Sequence, residues 1–80
     1  MKARVFVSLK PSILDPQGKT ITNALHTLGY GTVLDVRQGK YFELELEAGS
    51  AEDARALAAD VADKLLANPV IESYRVEVDG

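Results

Sequence analysis

Apolar and polar residues alternate almost from the start of the chain. Val5, Val7 and Leu9 fall on one side, with Arg4, Phe6, Ser8 and Lys10 on the other. A period of two is that of a half-buried strand. The spacing then changes. Ile21, Ala24, Leu25 and Leu28 recur at helical intervals, while Lys19, Thr22, Asn23 and His26 lie off that stripe. The boundaries agree with a helix between them. Asp15 is an N-cap whose carboxylate accepts a backbone N–H at the positive helix end. Pro16 takes the first helical position, where a missing donor costs nothing, and Gly29 ends the helix in the left-handed conformation.

Leu34 and Val36 read as a second strand, and Phe42, Leu44 and Leu46 as a third. Parity decides the turn between them. A two-residue loop would put Phe42 opposite Asp35 and split the apolar set between faces. A three-residue loop, Arg37-Gln38-Gly39 with Gly39 left-handed, pairs Leu34 with Phe42 and keeps the core on one side. Ser50 caps a second helix with Glu52 and Asp53 in its first turn, and its apolar stripe is Ala54, Leu57, Ala58, Val61, Leu65 and Leu66. Asn68-Pro69 stops it, and Tyr74, Val76 and Val78 alternate in a last strand. The expected order is βαββαβ: an α+β, ferredoxin-like domain over residues 1–80, with two helices on one face of a four-stranded antiparallel sheet.

At 80 residues a chain buries only roughly 60% of the surface its unfolded form exposes, so a lone core is marginal. No cysteine is present to staple it. Association with other chains is the expected remedy. The net charge of -3 and the scattered basic residues disfavour a nucleic-acid partner, which needs clustered Lys and Arg. Arg37 to Phe42 faintly resembles the third-strand motif of RNA-recognition domains, but Glu43, Glu45 and Glu47 would repel phosphates. No apolar run approaches the roughly 20 residues of a membrane span. A strand pattern beginning at once leaves no room for a signal peptide, so the expected location is cytoplasmic.

Candidate chemistry is sparse. His26 is the single histidine and reads as a solvated helix residue; no neighbouring thiolate or imidazole completes a metal site. Gly18 lacks the further glycines of a phosphate loop, and Asp15 would already fill that helix end. No catalytic, cofactor-binding or metal residue is expected. Phe6 and Tyr41, expected on central strands, have two open readings: part of a solvated charged surface, or a contact with another subunit. Arg37 and Lys40 are expected at an exposed hairpin tip suited to a partner. Asn68 and Glu72 read as a helix stop or as a docking corner.

One family resemblance covers nearly the whole chain. It is carried by Val5 to Lys10, Leu14-Asp15-Pro16-Gln17-Gly18, Ala24-Leu25, Asp35-Val36-Arg37 with Gly39-Lys40, and Lys64 to Glu72 with Tyr74. In that order and spacing the chain resembles the PurS family, the small subunits of phosphoribosylformylglycinamidine (FGAM) synthase in purine biosynthesis. The resemblance implies a non-catalytic bridge between a glutaminase subunit (PurQ) and a synthetase subunit (PurL), assisting passage of ammonia. ATP and Mg would belong to the synthetase partner, with no cofactor on this chain. It also implies self-association as a dimer or tetramer, with neither nucleic acid nor membrane as partner. The alternative is a regulatory domain of ferredoxin-like fold that binds a small molecule; an independent enzyme ranks third, for want of a nucleophile and its activator.

Overall fold

A computed structural model describes residues 1–79. Strand β1 spans Lys2–Leu9, helix α1 Pro16–Thr27, strand β2 Gly39–Glu45, helix α2 Ala51–Val61, and strand β3 Glu72–Asp79. A single π-helical turn, Ala62–Leu66, extends α2. The strands form one antiparallel sheet in the order β2-β1-β3. Central β1 behaves as its alternation predicts: Ala3, Val5 and Val7 are buried on the α2 side, flanked by Phe42, Leu44, Val76 and Val78.

The expected four-stranded ferredoxin-like sheet is not what forms. The α+β class holds, but residues 33–38 form no strand and pair with none, and Phe42 lies opposite Val5 rather than Leu34. The physical reason is the length of β1. Its ladder with β2 ends at Ser8 opposite Gly39, so the residues before Gly39 run past the end of their neighbour strand. Gly39 is therefore a strand residue and not a left-handed turn; Gly29 alone has a positive φ among the described residues, at 99°. A side chain at Gly39 is excluded by proximity, because its Cβ would lie 2.5 Å from the Val7 carbonyl oxygen.

The sheet is covered by one helix and not by two. Through Ala58 and Ala62, α2 packs on Ala3, Val5 and Val7. These small residues let the helix approach the sheet closely, while Leu57 and Leu65 of the expected stripe stay exposed. In the π turn, Ala67 donates to the Ala62 carbonyl at 2.9 Å. Leu66 packs against the core there and Leu65 does not.

Helix α1 contributes nothing to the core cluster. Its caps are as expected: Asp15 accepts from Gly18 N–H, and Gly29 and Tyr30 donate to the carbonyls of His26 and Leu25 in the paired pattern of a left-handed helix end. Its buried face, however, is Gly18 and Thr22, turned toward the 32–38 segment. The apolar stripe of Ile21, Ala24 and Leu28 is exposed. Together α1 and residues 30–38 make an arm outside the sheet. The Cα radius of gyration is 15.9 Å, where about 12 Å suits a compact chain of this length.

Candidate docking site

Three segments rich in boundary chemistry meet at one end of the sheet. The first is the start of α1. Asp15 Oδ1 accepts the Gly18 N–H at 3.0 Å, and Oδ2 accepts the Gln38 N–H at 2.8 Å. One carboxylate thus caps the helix and also clamps the arm's extended segment to it. Those donors, Gln38 foremost and then Gly18, hold the Asp15 carboxyl below the ordinary carboxylate range; burial opposes them, and the positive charge of Arg37 adds a lesser pull downward. Gly18 closes the clamp from the other side. A Cβ there would lie 2.0 Å from the Val36 carbonyl oxygen.

The second segment is Arg37 to Lys40. Arg37 is not at a free hairpin tip. Its Nη2 donates to the carbonyls of Lys10 and Ile13, at 3.0 and 2.9 Å, fastening the β1–α1 connection to the arm. Lys40 sits on the helix side of β2, with Nζ 3.4 Å from Glu72 Oε2. The expected exposed pair is therefore one structural fastener and one ion-pair partner. Both follow from the missing strand: with no hairpin, there is no tip.

The third segment is Asn68 to Glu72. Asn68 Oδ1 accepts the Val70 N–H at 3.0 Å, turning the chain after the π turn. Glu72 Oε1 accepts the Asn68 N–H at 2.7 Å. That bond first, and Lys40 after it, hold the Glu72 carboxyl below its usual range although burial opposes this. The Lys10 N–H donates to the Ile71 carbonyl at 2.9 Å, tying this corner to the end of β1. Asp15, Gln17, Gln38, Lys40 and Glu72 line a shared cleft of about 210 Å³.

Phe6 and Tyr41 lie elsewhere, on the sheet face away from α2. They are direct cross-strand partners with ring centroids 5.1 Å apart. The Arg75 guanidinium stands 4.4 Å over the Phe6 ring, and Arg4 bridges to Glu77 and Asp79. Phe6 is on the central strand, as expected, whereas Tyr41 is on an edge strand because β2 has no outer neighbour. So the six expected contact residues divide: Arg37, Lys40, Asn68 and Glu72 gather at the sheet end, and Phe6 with Tyr41 occupy the open face. Gln38 was missed. The available signal was that a capping aspartate uses one oxygen on its helix and leaves a second to be satisfied.

The chemistry of this corner is that of a joint. Its two buried or half-buried carboxylates are occupied by backbone donors, and no buried side-chain polar atom among the described residues lacks a partner. No group of three His, Cys, Asp or Glu side chains among them could hold a metal. His26 is exposed, and its Nε2–H donates to the Val33 carbonyl at 2.7 Å.

Residues 2–80 match the family described as PurS, phosphoribosylformylglycinamidine (FGAM) synthase. The chain belongs to the PurS family. It is 53% identical over 78 residues to the phosphoribosylformylglycinamidine synthase subunit PurS of Bacillus subtilis, covering 98% of this chain and 92% of that one. The solved PurS structure from Methanocaldococcus jannaschii superposes with a TM-score of 0.89 at 37% identity, over 98% of this chain and 94% of that one. A chain in the structure of PurLQS from Thermotoga maritima gives a TM-score of 0.87 at 34% identity, over 95% and 93%. This PurS chain thus shares nearly its whole length with these relatives. The segments Asp15 to Gly18, Arg37 to Lys40 and Asn68 to Glu72 are the ones the fold brings to a single corner.

Proposed function

We propose that this chain is the small, non-catalytic subunit of FGAM synthase in purine biosynthesis, working in the cytoplasm as a bridge between PurQ and PurL. The observation that carries the reading is the full-length match to PurS subunits, one of them within a PurLQS assembly. The site chemistry supports it. Asp15, Arg37 and Glu72 are spent on backbone clamps, which rigidify a surface and activate no nucleophile.

The physical service of such a bridge is alignment. Ammonia released from glutamine is mostly protonated in neutral water, and ammonium has no lone pair with which to attack. Docking the two large subunits so that ammonia passes shielded from solvent preserves the nucleophile. ATP and Mg act on the synthetase partner. Contacts with the large subunits are assigned to the two surfaces described: the corner of Arg37, Lys40, Asn68 and Glu72, and the open sheet face of Phe6 and Tyr41. Aromatics rimmed by charges suit an interface of that kind.

The test is reconstitution of the synthetase and glutaminase subunits with and without this chain. Glutamine-fed synthesis should require it, whereas synthesis fed with ammonium salt should not. Equal glutamine-fed turnover without it would sink the reading. A thermal-shift screen with amino acids and purine intermediates separates the regulatory alternative, which alone requires stabilisation of the isolated chain.

A further inference from the structure

Helix α2 departs from its own pattern at its end. Ala54, Ala58 and Ala62 recur every four residues and are fully buried. At 3.6 residues per turn, Leu65 is next on that stripe. The π turn of Ala62–Leu66 takes up one residue more than an α turn, so the core receives Leu66. Leu65 rotates into solvent instead and is 79% exposed. The chain forgoes a core leucine there, although Val5 and Val7 are its only large side chains buried completely. Single π turns within α-helices occur frequently at functional sites.

Val70 lies across the following turn, 77% exposed, with exposed Pro69 beside it. The backbone beneath it is fixed. The Val70 N–H donates to Asn68 Oδ1 at 3.0 Å, and the Asn68 N–H donates to Glu72 Oε1 at 2.7 Å. Two aliphatic side chains thus project from rigid supports, which lowers the ordering cost of binding them.

We propose that Leu65 and Val70 are docking anchors that seat in an apolar pocket, bordered by Lys or Arg, on one of the two large subunits. The inference rests on the FGAM synthase reading and extends the corner of Asn68 and Glu72 onto the end of α2. Charge selects the occupant. Asp63 is exposed, two residues before Leu65, and has no ion-pair partner among the described residues. Lys64 is paired with Asp60 at 3.2 Å. The free charge beside the anchors is therefore negative, and a basic rim answers it. A second copy of this chain does not fit. A two-fold contact centred on Leu65 would set Asp63 near its own copy and press one projecting leucine against another.

The test titrates this chain into the synthetase and glutaminase subunits and reads glutamine-fed synthesis. Leu65→Gln should raise the half-saturating concentration roughly ten-fold or more, the share of one buried leucine, with the rate at saturation unchanged. Asp63→Lys should raise it too, and added salt should raise it more for the wild type than for Asp63→Asn. Thermal midpoints and sedimentation of the isolated variants should match the wild type, because both side chains are exposed. Wild-type half-saturation in Leu65→Gln or Asp63→Lys would overturn the proposal and leave the FGAM synthase reading intact. A sedimentation shift in Leu65→Gln would show that the leucine pairs copies of the chain, and the proposal fails. A wild-type chain without effect on synthesis would defeat the underlying reading, and the proposal with it.

Discussion

Replacing Gly18 by alanine distinguishes this architecture from an ordinary helix. In an exposed helix the change should stabilise by about 1 kcal/mol, since glycine gives up more backbone freedom on folding than alanine does. Here the new Cβ would stand 2.0 Å from the Val36 carbonyl oxygen and 2.8 Å from Asp15 Oδ2. Ordinary contact begins near 3.4 Å, so the extended segment must retreat by more than an ångström. That retreat also pulls Gln38 N–H off Asp15. Forcing a methyl into a filled site costs about 1–3 kcal/mol, with strained backbone at the upper end. The net expectation is a loss of about 1–2 kcal/mol, a visible part of a total of roughly 5–15. Gly31→Ala, with nothing within 4 Å and no positive φ, is the control and should change stability by less than about 0.5 kcal/mol. Urea unfolding at one fixed protomer concentration measures both. A Gly18→Ala protein more stable than wild type would refute the clamp.

Three further outcomes follow from the same corner. The Asp15 and Glu72 carboxyls are held below their unfolded values, Asp15 by the Gln38 and Gly18 N–H groups and Glu72 by the Asn68 N–H and then Lys40, so their stabilisation is fully present only above the unfolded values, from about pH 6, and is lost as pH falls through the folded values. Asp15→Asn should therefore flatten the acid limb of urea midpoints measured at pH 7, 4 and 3, and an unchanged slope would contradict the assignment. Glu72→Gln should cost about 1 kcal/mol by weakening the bond from Asn68 N–H, whereas Lys40→Met, at a side chain 53% exposed, should cost less than about 0.5 kcal/mol in the same melts. Arg37→Ala should lower the thermal midpoint through loss of two carbonyl contacts; charge reversal at Arg37 then disturbs the fold as well as any docking, and calorimetry of the isolated chain would expose it.

Much of this was legible in the sequence, and the failures share one cause. β1, α1, α2 and β3 each announce themselves through a local period and a cap, and local rules govern them. Residues 32–38 carry an equally strand-like pattern, but a strand exists only with a neighbour. Nothing in Leu34-Asp35-Val36 reveals that β1 stops at Leu9. The assumed hairpin then misplaced Gly39, Arg37 and Lys40 together. The stripe of α1 was read correctly as apolar and wrongly as covered, because periodicity shows which face seeks burial and not what lies opposite. At the corner, Asp15 as cap and Asn68 as stop were visible. The second bond of Asp15 was not, since Gln38 comes to it from 23 residues away.

The uncovered stripe leads to a last expectation, about how α1 holds its shape. A 12-residue helix is marginal in water by itself, because nucleation is costly and caps add only about 1 kcal/mol each. Inside this chain the start of α1 is fastened by Asp15 and by the close approach of Gly18 to Val36, while Ile21, Ala24 and Leu28 lie exposed and the last turn is held to the rest of the arm through His26 and Val33. The helix should therefore open from its C-terminal half, with the clamped first turn the last to exchange. Amide hydrogen exchange should be fastest for the N–H groups of residues 24–28 and slower for those of residues 19–21. Tightening the helix by Asn23→Ala on its exposed side should slow exchange along the whole second half. Equal protection from one end of α1 to the other would show that the clamp at its start does not set its stability.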